Sequence, residues 1–199
     1  MTPEQECSRL KTTPSPQLPT PLALIEMGRL GEVPVRIVAA NVQAVIGIPV
    51  NIVDPLDPPE EAYQRLRRQY DAGLVLKHLA GLSFPGHRRI LALTTVDLCN
   101  PILTYVYGEA ELGGRIAVAS GFRLRFGEDG AVVSQELYYE RLVKVALHEV
   151  AHTFSLYHCE EANCLMHFSP KVRQLDRVDI CFCSRCEYML RESLGRTGV

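Results

Sequence analysis

The pattern of apolar and polar positions along this chain changes character partway. Leu22-Ala23-Leu24-Ile25-Glu26-Met27 is a short apolar run ended by Gly28, and it reads as a buried strand. Val35 to Val45 is apolar nearly all round, which fits a helix packed behind a sheet, although its β-branched residues leave a strand open. Pro49 to Val53 reads as a second strand. Asp54 to Pro59 is a loop, because its prolines remove donors and fix φ. Glu60 to Tyr70 is polar and rich in helix formers. Asp71 is placed to cap a further helical piece through Ala80, with Gly81 as its stop. Ile90 to Val96 is the third strand, and Asp97 begins the loop after it. Strands alternating with helices up to this point predict an α/β layer with parallel strands.

Then the pattern shifts. Thr104 to Ala110 and Arg115 to Ser120 are strand-like runs on either side of Gly113-Gly114, which is a hairpin signal. One of the two strands must run antiparallel to the rest, most simply at the sheet edge. Such an edge either accepts an extended peptide as an added strand or is an ordinary edge. Val106, Tyr107 and Gly108 are the candidate substrate contacts on it. Gly127 to Gly130 is a turn. Ser134 is the predicted N-cap of a long helix supported by Leu137, Tyr138, Leu142, Val145, Ala146 and Val150. Cys159 to Pro170 is irregular, Ser184 to Leu194 reads as a terminal helix, and Arg196 to Val199 as a frayed end. Residues 1–20, repeating Thr and Pro, read as a mobile arm.

Composition narrows the class. A chain of 199 residues with 47% hydrophobic and 22% charged residues reads as one ordinary globular domain, or one domain with a small appendage. A net charge of -2 gives no reason to expect nucleic acid or an anionic membrane surface. No apolar run approaches the roughly 20 residues of a spanning helix, and the N-terminus carries no basic-then-apolar signal pattern. The expectation is a cytoplasmic monomer. The seven cysteines are an odd number, and five of them fall between Cys159 and Cys186, in a stretch that also holds His167. That clustering points to metal rather than to a disulfide framework.

The predicted long helix carries His148-Glu149-Val150-Ala151-His152 near its end. His148 and His152 stand four residues apart, so their rings share one helical face and can bind one metal ion. Glu149 is offset by one position and can reach a water on that metal. The alternative is a helix with two surface or packed histidines. His158 joins the same metal only if the helix stops after His152 and the chain turns back. Three neutral imidazoles would leave a fourth zinc position for water, and Glu149 would then act as general base.

Cys159 and Cys164, with Cys183 and Cys186, supply four thiolates in two close pairs, as in closed structural zinc sites. Cys181 competes with Cys183, which is favoured by its two-residue spacing to Cys186. Cys99 reads as a small core residue. Cys7 reads as a free thiol in the arm, against the alternative of a pro-segment thiol capping a catalytic metal. Met166 is either a core methionine or a methionine turn packed beneath the metal. His167 is assigned no ligand role.

These motifs resemble the metzincin clan of zinc peptidases and, within it, the archaemetzincins. The clan pattern is H-E-x-x-H-x-x-G-x-x-H followed by a Met-containing turn. The archaemetzincin hallmark adds a Cys directly after the third His, then C-x-M and C-x-x-C. Here these are His148, Glu149, His152, His158, Cys159, Cys164, Met166, Cys183 and Cys186. Arg68-Gln69-Tyr70, Val96-Asp97-Leu98 and Gly108 to Gly114 are also similar to that family. The resemblance covers most of residues 22–190.

It implies an α/β (α+β) single domain with a mixed twisted sheet, one antiparallel edge strand, a backing helix and an active-site helix. Residues 21–155 would form the sheet-plus-helices part, and 156–199 a zinc-stapled C-terminal part. It also implies two zinc ions, one catalytic and one structural, and a peptide or protein substrate. Ser155 stands where the family has a Gly that lets the chain leave the helix. Ala151 replaces another usual Gly. The expected function is zinc-dependent peptide hydrolysis. The alternatives are a zinc-stabilised peptide-binding protein with little hydrolysis, and a zinc amidase acting on a non-peptide substrate.

Overall fold

In the computed structural model, which describes residues 20–197, successive residues of each central strand enter two separate cores. β1 (Leu22–Met27) sends Leu22 and Leu24 to one face and Ala23, Ile25 and Met27 to the other. In chain order, β2 is Val50–Ile52, β3 Tyr63–Gln64, β4 Gln69–Asp71, β5 Arg89–Thr94, β6 Leu98–Cys99, β7 Gly108–Ala110 and β8 Ile116–Ser120. Leu91 and Leu93 of β5 oppose Ile90 and Ala92, and Ala117 and Ala119 of β8 oppose Ile116 and Val118. Strands buried on both faces read as continuous apolar runs for this reason.

The main sheet has the order β2-β1-β5-β8-β7. Its first four strands are parallel, with Ala92 of β5 beside Val118 of β8. β7 runs antiparallel to β8, pairing Gly108 with Ala119 and Ala110 with Ala117. The mixed sheet with one antiparallel edge strand agrees with the hydrophobic pattern.

Three helices cover the sheet. α1 (Glu32–Asn41), continued by a π-helical turn at Val42–Ile46, turns Val35, Val38, Ala39, Val42 and Ile46 inward. This helical spacing excludes a strand there. α3 (Gln135–Thr153) packs beside α1 on the same core. Its first turn is capped by Ser134 Oγ, which accepts the Leu137 N–H at 3.3 Å. α2 (Ala72–Ala80) covers the opposite face, and Asp71 Oδ1 accepts the Leu74 N–H at 3.0 Å. Leu156, Leu165, Met166, Val178 and Leu190, from the segment after α3, enter the α3 core with α4 (Val172–Leu175) and α5 (Ser184–Thr197). Arg141 of α3 holds that segment through both Asp176 carboxylate oxygens, at 2.6 and 2.7 Å.

Two local expectations are corrected. Glu60 to Tyr70 is not a helix: a 3-10 turn at Glu60–Ala62 leads into an antiparallel β3-β4 pair, and β4 then runs beside β6. Arg68 takes φ 53, and Arg67 donates to the Asn100, Leu103 and Thr104 carbonyls at 2.8–3.0 Å. Gln69 reaches Asp97 at 2.9 Å and the Thr104 carbonyl at 3.0 Å. These long-range bonds outweigh a weak helix propensity. The first hairpin strand is also shorter than its apolar run, because Val106 instead donates its N–H to the Leu98 carbonyl at 3.0 Å.

Most of the expected arm over residues 1–20, including Cys7, lies outside the described residues, as do residues 198–199. Among the described residues, no helix is long and apolar enough to cross a membrane.

Candidate metal centre and its cleft

His148 and His152 lie in the last two turns of α3, on one face, with their Nε2 atoms 3.0 Å apart and their rings nearly perpendicular. His148 Nδ1 is 2.8 Å from the Leu165 carbonyl oxygen, and His152 Nδ1 is 2.7 Å from that of Leu156. A carbonyl only accepts, so each Nδ1 carries the proton and each Nε2 presents a bare lone pair. Burial, with the neighbouring imidazole second, pushes His148 down to about 3, so it is neutral. Two facing lone pairs at this distance repel unless a cation lies between them. A tetrahedral zinc with Zn–N near 2.0–2.1 Å sets its nitrogens about 3.3 Å apart, and the donor pair fits it within a few tenths of an ångström.

His158 completes the set: one ring nitrogen from each of the three histidines falls within 4.8 Å of the others. The turn after α3 makes this possible. Leu156 N–H donates to the Ala151 carbonyl at 3.3 Å and Ser155 N–H to the His152 carbonyl at 2.9 Å, a Schellman ending. Ser155 is the left-handed residue that this ending needs, with φ 65. Three outside groups hold the same turn. Gly113 N–H donates to the His152 carbonyl at 2.9 Å and Arg89 Nη2 to that of Thr153 at 3.3 Å. Ser193 Oγ donates to the carbonyl of Phe154 at 2.9 Å. Arg89 also lies 3.6 Å over the Phe154 ring.

Glu149 is buried against the edge strand. A Cβ built on Gly108 would lie 2.6 Å from Glu149 Cγ and 2.8 Å from its Oε1, so the carboxylate occupies the space a side chain would take. Burial, with the Glu109 carboxylate second, pushes Glu149 up to about 8. Both residues, with the three histidines and Val106, Tyr107 and Gly108, line a cavity of about 600 Å³. Tyr157 stands exposed at its margin, with Phe168 and Leu112 half exposed.

The four cysteines singled out by spacing also converge: Cys159, Cys164, Cys183 and Cys186 bring their Sγ atoms within 4.8 Å of one another. Cys159 and Cys183 Sγ are 3.8 Å apart, close to the separation of two thiolates bound about 2.3 Å from one tetrahedral zinc. Cys164 Sγ accepts the Met166 and Cys183 N–H groups at 3.5 and 3.4 Å. Cys181 is exposed and outside the group, its carbonyl accepting the Leu165 N–H. Cys99 is a buried core residue. Met166 is fully buried, between Leu165, whose carbonyl orients His148, and His167. His167 belongs to neither group of possible ligands; its Nδ1 lies 3.1 Å from the Cys159 carbonyl.

Glu109 and Arg89 escape a reading by spacing: Arg89 belongs to no motif, and Glu109 falls only within the family-like stretch Gly108 to Gly114, which assigns it no role. Gly108 did carry a signal: a glycine inside a strand marks close approach by another group.

Comparison with known proteins agrees with this geometry. A model of peptidase family M54 matches residues 32–192. The protein named archaemetzincin from Methanopyrus kandleri is 42% identical over 140 residues, which are 70% of this chain and 76% of that protein. The crystal structure of archaemetzincin from Methanopyrus kandleri superposes with a TM-score of 0.80 at 35% identity, covering 93% of this chain and 99% of that one. The crystal structure of a zinc-dependent peptidase from Methanocorpusculum labreanum gives a TM-score of 0.76 at 28% identity, over 85% and 99%.

Proposed function

This chain belongs to peptidase family M54, and from that premise we propose that it hydrolyses peptide bonds at a zinc held by His148, His152 and His158, with Glu149 as general acid and base. The observation that carries the reading is the pair of bare Nε2 lone pairs facing each other at 3.0 Å, each fixed by a carbonyl on its Nδ1. Zinc, when bound, supplies a Lewis acid that polarises a scissile carbonyl and lowers the pKa of a coordinated water toward about 7. Glu149 takes the proton from the attacking water as the new C–O bond forms. It passes that proton to the nitrogen as the C–N bond breaks, so the amine leaves neutral. Its raised pKa suits a group that must both accept and release a proton near neutrality, and a nearby dication draws it lower.

The substrate lies as an added strand on the free edge of β7, beside Val106, Tyr107 and Gly108. Cys159, Cys164, Cys183 and Cys186 hold a second, structural zinc. Residues 158 and 159 therefore face two different ions, and the closed site fixes the loop that carries His158. Met166 serves as the buried floor of that loop.

Screening a peptide library with the zinc-loaded protein tests this reading. The wild type is expected to cleave, and Glu149→Gln to lose about a hundred- to ten-thousandfold in turnover. Binding without cleavage over a wide pH range would replace it with the peptide-binding alternative.

A further inference from the structure

The cleft does not end at the three histidines. A second cavity of about 620 Å³ opens beside it, bounded by Tyr105, Tyr107, Phe122, Arg123, Phe126 and Lys171. Tyr105, Tyr107 and Lys171 line both cavities, so the two adjoin across a shared wall at the segment that leads into β7. Four of its nine lining residues are aromatic. Phe122 is 41% exposed and Phe126 39%, and exposed rings that rim a concavity mark a place for an occupant.

The partition between the cavities is held in place. Arg123 grips both Asp97 carboxylate oxygens at 2.6 and 2.7 Å and lies 4.2 Å over the Tyr105 ring. Tyr105 Oη donates to the Pro170 carbonyl at 3.1 Å. Asp97 neutralises Arg123, which leaves Lys171 and Glu128 as the remaining charges of the lining, one of each sign. The cavity therefore carries no net charge and sets ring surface beside polar surface. The wall formed by Tyr105 and Arg123 is already held by these contacts, so it needs little ordering on binding.

We propose that this second cavity is a distal substrate subsite, taking a large aromatic or aliphatic side chain of the same peptide that lies across the three histidines. The protein then acts on extended chains rather than on short terminal fragments. The enzymatic consequence rests on the hydrolytic reading above, whereas binding to the subsite does not.

Two fluorogenic peptide sets with one scissile core test it. One set is truncated near the bond. The other is extended by a few residues at either end, with Phe or Gly at each added position. A Phe at one end is expected to raise kcat/KM by about ten- to a hundredfold, the scale of one buried aromatic side chain. In Phe122→Ser, Phe126→Ser and the double variant, the ratio of extended to truncated kcat/KM is expected to fall toward one. Cleavage of both sets with no response to Phe overturns the subsite. If the wild type cleaves neither set, the hydrolytic reading falls, and equilibrium binding of the same peptides decides the subsite. Tighter binding of the Phe peptide, lost in the variants, supports it; equal binding overturns it.

Discussion

Glu149 fills the space that a side chain on Gly108 would need. The absent methyl group lets a helix carboxylate reach across to the edge strand, with 2.6 Å between Glu149 Cγ and the built Cβ position. The same Cβ would lie 2.7 Å from the Val118 carbonyl oxygen, so it cannot move aside. Gly108→Ala is therefore expected to displace the carboxylate and cut turnover by about a hundredfold, the scale of a 1 Å misplacement. Zinc content should not change. Steady-state kinetics with metal analysis checks this, and wild-type turnover in the variant would remove Glu149 from its assigned place.

Arg89 reaches the last turn of α3 with a hydrogen bond to Thr153 Oγ1 at 3.1 Å, besides the carbonyl and the Phe154 ring. A cation at a helix C-terminus also complements the helix dipole. Arg89→Met is expected to destabilise the fold by about 1.5–3 kcal/mol, the value of hydrogen bonds from a charged group. It should also weaken zinc binding, because the turn it holds positions His158. Urea unfolding and zinc titration of the variant read the two effects separately, and Arg89→Lys should recover part of each.

Ser155 occupies a left-handed position at φ 65 that favours glycine. Ser155→Gly is expected to stabilise the protein by up to about 1 kcal/mol, which for a domain of this size raises Tm by about 2–4 °C. Ser155→Val should lower Tm, because a β-branched residue is strained there. A calorimetric scan of the zinc-loaded forms measures both. A lower Tm in the glycine variant would mean that the serine side chain makes an unrecognised stabilising contact.

Geometry separates the cysteine group from Cys181, as the spacing of Cys183 to Cys186 does, so the two should differ in metal count. Cys164→Ser is expected to lose one of two zinc ions per chain and to open the loop after His158 to proteolysis. Cys181→Ser should keep both. Metal analysis with limited proteolysis distinguishes them, and loss of zinc from the Cys181 variant would reassign the ligands.

What the sequence determined by itself was local. Apolar runs at Leu22–Met27 and Ile116–Ser120 mark strands, Ser134 and Asp71 mark helix starts, and the four-residue step from His148 to His152 puts two rings on one face. Each of these depends on hydrogen bonds and periodicities spanning a few residues. The ending of α3 was legible to the same extent, as a requirement: His158 could join its partners only if the chain turned back. The tertiary structure decided the rest. Glu60 to Tyr70 became a hairpin because Arg67 and Gln69 bond to the loop around Thr104. Glu149 acquired its shifted carboxyl from burial and from Glu109, some forty positions away in the chain. The second cavity brings Tyr105 and Phe126 together with Lys171 from beyond α3. No period in the sequence encodes such contacts, because they arise only when the sheet, α3 and the C-terminal segment close on a shared core.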